Sequence, residues 1–146
     1  MRKSLLPAVL ASLWLGLATA ASAADSGKAC YHRHAPSEME IGFCEAVRIG
    51  NTLVVSGVVG QGDMAAAIHM AYDSLKSTLA ANGLDFRHVV KETVYTTDLD
   101  AFIKNQKVRK DYYGNDFPAA TWVQVQRLYL PAHVVEVELT AVFPDK

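Results

Sequence analysis

Residues 63–97 read DMAAAIHMAYDSLKSTLAANGLDFRHVVKETVYTT, and this stretch predicts a helix followed by a strand. Asp63 stands where a helix N-cap is expected, and Asn82-Gly83 supplies a left-handed cap at the other end. Between them, apolar residues recur three and four positions apart, which places them on one face of the helix. They are Met64, Ile68, Ala71, Leu75 and Leu79. Residues 89–97 are rich in β-branched and aromatic side chains and predict the strand.

Two further strands are predicted before the helix. Residues 43–49 and 53–55 carry strand-forming side chains, and Gly50-Asn51 between them favours the positive φ of a hairpin turn. Glycines follow at positions 57, 60 and 62, and we expect them to loosen the backbone ahead of the helix. This part of the chain therefore predicts a hairpin that leads into the helix.

One more helix and two more strands are predicted after the central strand. Asp98 or Asp100 can cap a helix over residues 101–113. Apolar and polar side chains alternate over residues 121–128 and 134–143, which predicts two strands joined by a short connection. The order ββαβαββ indicates an α/β fold of the α+β type, with one mixed sheet and two helices packed on one face.

The other face of this sheet needs a cover, because the pattern predicts no third helix. Valines of the late strands would form a large apolar patch if they were exposed. They are Val123, Val125, Val135 and Val137. We therefore expect the chain to associate with copies of itself.

The N-terminus has the three parts of a secretory signal peptide, which we assign to residues 1–23. Arg2-Lys3 is basic, residues 5–17 are apolar, and Ala21-Ser22-Ala23 suits signal peptidase. The apolar run is shorter than the ~20 residues that span a bilayer, so a retained anchor is the weaker reading. We expect a periplasmic or secreted protein that does not associate with a membrane after cleavage.

The exported part of the chain is expected to have an irregular, polar arm over residues 24–40 and one domain over residues 41–146. Removal of Arg2-Lys3 leaves 12 Lys and Arg against 15 Asp and Glu. This mildly acidic balance argues against nucleic acid as a partner. The remaining length, with about half of its residues apolar, suits one domain with a modest core.

Cysteines and histidines near the arm allow more than one interpretation. An oxidising compartment would let Cys30 and Cys44 form a disulfide, whereas a catalytic thiol would need a histidine arrangement that the sequence does not show. His32 and His34 alternate along the chain and could hold a metal ion, but two ligands are weak evidence. We predict no metal site.

Five blocks, taken in order, resemble the Rid family, also called YjgF-like. They are Val47-Arg48-Ile49-Gly50-Asn51, Val54-Val55-Ser56-Gly57, Val89-Val90-Lys91-Glu92-Thr93-Val94-Tyr95, Phe117-Pro118-Ala119 and Val135-Glu136-Val137-Glu138. The resemblance implies a chorismate-mutase-like fold and a homotrimer with ligand clefts between subunits. It also implies hydrolysis of imines and enamines of small 2-keto acids to the keto acid and ammonia, without a metal or organic cofactor.

The resemblance fails at the residue that grips the substrate. Active Rid proteins carry an arginine directly after the Pro-Ala pair, where its planar fork holds a carboxylate, and this chain has Ala120. Trp122 lies on the same strand face as Ala120, either as a core or interface aromatic or as a platform for a ligand. The resemblance therefore implies an exported member that lacks the signature arginine and has a reshaped pocket.

Other family positions imply that a cleft persists. Glu136 matches the glutamate that positions water, and Ser56-Gly57 matches a turn that lines the pocket. Asn105 matches an asparagine of the second helix, and Phe43 aligns with a family tyrosine. Glu136 would otherwise be a partner in an interface ion pair or a solvated residue, and Asn105 would otherwise form a hydrogen bond at a helix end.

Three functions fit these observations. The first is imine or enamine hydrolysis with an altered substrate preference, for which Arg48 or Arg127 would have to replace the missing cation. Strand parity points Arg127 away from the Trp122 face. The second function is binding of a small metabolite without turnover. The third is a protein-interaction role on the same scaffold.

Overall fold

The computed structural model describes residues 27–145 of the chain. Its elements, in order, are β1 (Lys28–Tyr31), α1 (Ala35–Glu40), β2 (Ala46–Ile49), β3 (Thr52–Gln61), α2 (Met64–Ala81), a 3-10 turn (Phe86–His88), β4 (Val89–Thr96), α3 (Leu99–Lys104), α4 (Gln106–Tyr113), β5 (Ala119–Gln124) and β6 (His133–Val142). The predicted signal peptide lies outside the described residues.

The six strands form one mixed sheet in the order β1-β2-β3-β6-β4-β5. Only β4 and β5 run parallel, and the other neighbours are antiparallel. Helix α2 packs on β3 and β6, and α3 packs on β5, while α2 also contacts α3 and α4. The predicted mixed sheet with helices on one face is therefore confirmed.

Local capping signals behave as the sequence predicts. The Asp63 side chain accepts a hydrogen bond from the backbone amide of Ala66, 3.1 Å away, at the start of α2. Asp98, not Asp100, caps α3 by accepting from the amide of Ala101 at 2.9 Å. Gly50 turns the β2–β3 hairpin with φ of 58°, a conformation that glycine adopts without strain.

The core lies between α2 and the sheet. Its largest fully buried side chains come from α2, α3 and the three central strands. They include Tyr72, Phe102, Leu53, Ile68, Leu75, Leu79, Leu139, Val94, Val135 and Val137. Four of the five residues on the predicted helix face are fully buried, and Met64 is partly buried against them.

The expectation of an irregular arm over residues 24–40 is wrong for the part that the structure describes. β1 pairs antiparallel with β2, with Cys30 opposite Val47, and α1 follows. A disulfide joins Cys30 to Cys44. The arm is ordered by partners distant in sequence, so its own lack of periodicity gave no signal.

Several predicted bounds also differ. The second helix is interrupted at Asn105, which separates α3 from α4. β3 extends through Gly57 and Gly60 to Gln61, so these glycines do not end the strand as expected. A side chain at position 60 would overlap the backbone carbonyl of Ala67, and glycine is therefore what lets α2 approach β3.

The face of the sheet away from the helices differs from its predicted character. Val135 and Val137 are buried under the helices, whereas Glu136 and Glu138 alternate with them and lie on the opposite face. This open face therefore carries both polar and apolar side chains. One of the apolar side chains is Val54, which is 46% exposed. Among residues 27–145, no helix has the length and apolar character needed to cross a bilayer.

Candidate functional site

A cavity of about 480 Å³ contains three of the predicted site residues. Its lining comes from the segment between α1 and β2, from β3, from the loop before β6 and from β6 itself. The lining residues are Ile41, Phe43, Gly57, Val59, Tyr129, His133 and Glu136. The structure thus brings Phe43, Gly57 and Glu136 together in one cavity within a single chain.

The Glu136 carboxylate lies directly over Gly57. A side-chain carbon at position 57 would overlap the carboxylate oxygen Oε1 of Glu136. The pairing between β3 and β6 is irregular here, because the register shifts between Val55 and Val58. Glycine at position 57 and the adjacent irregularity therefore make the room that this carboxylate occupies.

The surroundings of Glu136 are negatively charged. Glu138 lies two residues along the same strand and on the same face, and it accepts a hydrogen bond from the Tyr95 hydroxyl at 3.3 Å. Burial raises the pKa of Tyr95, and the charges of Glu138 and Glu136 raise it further. Such an environment stabilises a cationic ligand better than an anionic one.

His133 adds a nitrogen base to the same cavity. Its Nδ1 atom lies 3.4 Å from the backbone amide of Leu130, which donates to it. That hydrogen bond leaves the Nε2 atom as the protonated nitrogen of the neutral ring. His133 also lines a second cavity, of about 400 Å³, together with Arg127. Arg127 therefore lines a cavity that shares His133 with the Glu136 cavity.

A third cavity, of about 370 Å³, shares Phe43, Gly57 and Val59 with the Glu136 cavity. The Arg33 guanidinium contributes to its wall, but it is already paired with Glu45 at 3.0 Å and donates to the Ser74 hydroxyl at 3.1 Å. Thr78 donates to the same Glu45 carboxylate at 2.7 Å. Arg33 therefore holds the arm on α2 and is engaged by protein groups.

Ala120 and Trp122 do not lie near Glu136. They pair across the β4–β5 ladder with Glu92 and Val94, whose side chains are buried under the helices. Directly paired residues share a face of the sheet, so Ala120 and Trp122 are on the helical face and Glu136 is on the open face. Within one chain, the two halves of the expected site are separated by the sheet.

Trp122 is held by protein contacts. Its ring packs edge-on against Phe102, with centroids 5.3 Å apart. Its Nε1 atom donates to the Glu92 carboxylate at 3.2 Å. The structure therefore shows Trp122 as a packed aromatic, which is the first of the two roles considered for it.

Glu92 is the centre of a buried network that the sequence did not reveal. Its carboxylate is fully buried and accepts from Arg109 Nε, from the Tyr72 hydroxyl and from the Tyr113 hydroxyl, each at 2.7 Å. Trp122 provides the fourth donor. Burial, and next the charge of Glu92, raises the pKa of both tyrosines, so they remain protonated donors. One sign of this network was present in the sequence. In the strand rich in β-branched residues, Glu92 occupies a position whose side chain points toward the core.

The other predicted positions are Asn105, Ser56 and Arg48, and the side chain of each contacts a group of the protein itself. The Asn105 side chain donates to the Ala101 carbonyl at 2.9 Å, which is the helix-end hydrogen bond considered as its alternative role. The Ser56 hydroxyl donates to the Cys44 carbonyl at 2.7 Å. The Arg48 guanidinium lies 3.9 Å from the centre of the Phe143 ring, so it is not part of the Glu136 cavity.

Comparisons with known proteins agree with this architecture. A family model described as Endoribonuclease L-PSP matches residues 33–143. Rv2704 from Mycobacterium tuberculosis, a member of the YjgF/YER057c/UK114 family, superposes with a TM-score of 0.72 at 29% identity, covering 79% of this chain and 98% of Rv2704. This chain belongs to the Rid (YjgF-like) family. Its chorismate-mutase-like fold follows from that membership.

Two relatives show how far the similarity extends along the chain. Protein DfrA of Myxococcus xanthus is 43% identical over 68 residues, which are 47% of this chain and only 52% of DfrA. Human 2-iminobutanoate/2-iminopropanoate deaminase is 29% identical over 109 residues, 68% of this chain and 79% of the human protein. This Rid-family chain is thus similar to imine deaminases over most of its domain.

The structure adds residues to the Rid-like cleft that sequence reasoning missed. Tyr129 lines the Glu136 cavity from the loop between β5 and β6, and His133 lines it from the first position of β6. The sequence had predicted strand up to residue 128, but β5 ends at Gln124 and the loop is longer than expected. Only the path of that loop in three dimensions brings His133 beside Glu136.

Proposed function

We propose that this chain is an imine or enamine hydrolase whose substrates differ from the 2-imino acids of active Rid proteins. The observation that carries the proposal is the Glu136 carboxylate over Gly57, in a cavity that also contains His133. A carboxylate in this position can hold a water molecule and take its proton as the water attacks the C=N carbon. His133 can protonate the leaving nitrogen.

The charges around Glu136 support a change of substrate class. Glu136 and Glu138 favour a protonated iminium over a carboxylate, and Ala120 provides no cation where family members have arginine. We propose that the preferred substrate lacks a carboxylate beside the C=N carbon, or binds it at Arg127 through the cavity that His133 shares. No metal or organic cofactor is part of this proposal.

The proposal includes a homotrimer with clefts between subunits. Ala120 and Glu136 lie on opposite faces of the sheet, so these positions can act on one ligand only if they come from different subunits. The open sheet face would then be the face that subunits share. Export and signal-peptide cleavage after residue 23 are also part of the proposal, supported by the n-region, apolar run and cleavage box.

The test is ammonia release by the purified chain from freshly generated 2-iminopropanoate, 2-iminobutanoate and an imine without a carboxylate. The buffer contains no primary amine. We expect faster hydrolysis of the third substrate, and a loss of roughly a hundredfold to ten-thousandfold in Glu136→Gln. Glu138→Gln is the comparison variant: it removes one charge from the same strand face outside the cavity, so it should weaken the preference for the imine without a carboxylate but retain hydrolysis.

A second candidate, binding of a small metabolite without turnover, is favoured by the single observation that Ala120 replaces the signature arginine. If the wild type releases no ammonia above buffer while Ala120→Arg does, the cleft is a binding site and the hydrolase proposal fails. A charge-assisted pair is worth about 1.5–3 kcal/mol, so Ala120→Arg should improve 2-iminopropanoate turnover by about tenfold to a hundredfold if the cleft is otherwise competent.

A further inference from the structure

The arm brings three sulfur and nitrogen ligand atoms together outside the Glu136 cavity. Cys30, His32 and Cys44 each place one ligand atom within 4.8 Å of the other two. Cys30 lies in β1, and His32 follows the strand with its Nε2 atom close to the Cys30 sulfur. Cys44 faces them from the segment before β2, and in this structure the two cysteines form a disulfide.

The orientation of His32 is fixed by a buried carboxylate. Its Nδ1 atom lies 3.0 Å from Glu38 Oε2, and its Nε2 atom lies 3.1 Å from the sulfur of Cys30. Glu38 is only 7% exposed, and it is held in turn by the backbone amides of Arg33 and His34. A carboxylate that orients the far nitrogen of a histidine is the usual support of a metal-binding imidazole.

We propose that reduction of the Cys30–Cys44 disulfide converts this cluster into a binding site for a thiophilic metal ion, of which Zn²⁺ is the probe. Cys30, Cys44 and the Nε2 atom of His32 are the ligands, and Glu38 orients the imidazole. Two thiolates and one imidazole suit Zn²⁺ and are poor ligands for Mg²⁺ or Ca²⁺. Water completes the fourth position on the exposed side of Cys30.

The chemistry balances with a dithiol as the reductant. The dithiol supplies two electrons and two protons, the Cys30–Cys44 bond breaks to give two thiols, and the reductant becomes a disulfide. Binding of Zn²⁺ then displaces the two thiol protons to solvent and forms two metal–sulfur bonds. Neither step changes the oxidation state of the metal.

The geometry permits both states without rebuilding the arm. The two Cα atoms are 5.6 Å apart. Tetrahedral Zn²⁺ with Zn–S distances of about 2.3 Å needs the sulfurs roughly 3.7 Å apart, which rotation of the exposed Cys30 side chain can provide. Either the disulfide or the metal would tie β1 to the segment that carries Phe43, and so keep that wall of the Glu136 cavity in place.

The experiment measures metal binding by the purified full chain, reduced with a dithiol that is then removed under anaerobic conditions. A chromophoric zinc chelator gives stoichiometry and affinity, and Co²⁺ gives the thiolate-to-metal charge-transfer band. We expect one Zn²⁺ per reduced chain and none in the oxidised chain. Glu38→Gln should weaken binding by about tenfold to a hundredfold with the cysteines intact.

Controls separate this site from nonspecific thiol binding. His32→Gln should weaken Zn²⁺ binding and change the Co²⁺ spectrum, whereas His34→Gln, two residues along the arm, should behave as wild type. Cys30→Ser/Cys44→Ser should abolish the site. The proposal is overturned if the reduced wild type binds no more Zn²⁺ than this double variant, if the oxidised chain binds equally, or if His32→Gln binds as wild type.

Discussion

The position of the Glu136 carboxylate depends on the absence of a side chain at Gly57. In Gly57→Ala the added methyl group would overlap that carboxylate and push it out of the cavity. Overpacking of this kind costs about 1–3 kcal/mol of unfolding free energy. We expect a crystal structure of Gly57→Ala to show Glu136 displaced, and imine hydrolysis to fall to the level of Glu136→Gln.

Gly60→Ala is the matched control for this prediction. It lies three residues along β3 and would overlap the Ala67 carbonyl on the helical face, away from Glu136. It should therefore lower stability while the Glu136 carboxylate stays over Gly57. An undisplaced carboxylate in Gly57→Ala would contradict the prediction.

Glu92 shows how a single buried charge ties several elements together. Glu92→Gln should cost about 3–5 kcal/mol of unfolding free energy, because it leaves the Arg109 guanidinium buried without its counter-charge. Denaturant unfolding measures the loss. Glu138→Gln should stay within about 0.5 kcal/mol of wild type, because Glu138 is part-exposed and its hydrogen-bond donor is the neutral Tyr95 hydroxyl. Equal costs in both variants would mean that the network is not stabilising.

Tyrosine ionisation should report on the same network. Burial and the Glu92 charge raise the folded-state pKa of Tyr72 and Tyr113 well above the ordinary value of about 10. Because the folded pKa is the higher one, their contribution to stability is complete below pH ~10 and decreases as the pH rises above it. A titration of phenolate absorbance should show these two groups ionising only as the protein unfolds, and reversible early ionisation of all six tyrosines would contradict this.

At the scale of single elements, the N-terminal cap of α3 makes its own contribution to the free energy of unfolding. The sequence left Asp98 and Asp100 as alternative caps for α3, and the structure assigns the cap to Asp98. Asp98→Ala should cost about 1 kcal/mol of unfolding free energy, since it leaves the Ala101 amide without its acceptor. Asp100→Ala is the matched control and should change thermal unfolding by a few tenths of a kcal/mol. A larger loss of stability in Asp100→Ala than in Asp98→Ala would place the cap at Asp100 and contradict the prediction.

At the scale of the whole molecule, the open sheet face is the feature that one chain does not explain. It carries Val54, 46% exposed, beside the polar residues of β4 and β6. We expect light scattering coupled to size exclusion to give the mass of three chains. Val54→Asp should dissociate this assembly because it places a charge in a packed interface.

Ile103→Asp is the control for the open face, because Ile103 is 42% exposed on the helical side of the molecule. That variant should remain trimeric. A monomeric wild type at micromolar concentration, or dissociation by Ile103→Asp and not by Val54→Asp, would contradict the assignment of the shared face.

What the sequence alone determined is the part of the structure encoded by neighbours in the chain. The amphipathic period of α2, the Asp63 cap and the Gly50 turn depend on residues within about four positions of one another, and each was predictable. The resemblance also indicated the fold class and seven site positions, of which Phe43, Gly57 and Glu136 line one cavity whereas Ala120 and Trp122 lie on the other face of the sheet. Those predictions needed no knowledge of how strands pair.

Tertiary structure alone decided what depends on distant partners. The ordered arm needs Cys44 and Glu45, the fully buried Glu92 needs donors from three other elements, and His133 reaches the cavity only through the path of a loop. Strand register placed Ala120 and Glu136 on opposite faces, and a shift of one residue would have reversed that result. Such contacts join residues far apart in sequence, so their formation depends on the packing of the whole sheet and leaves no local pattern to read.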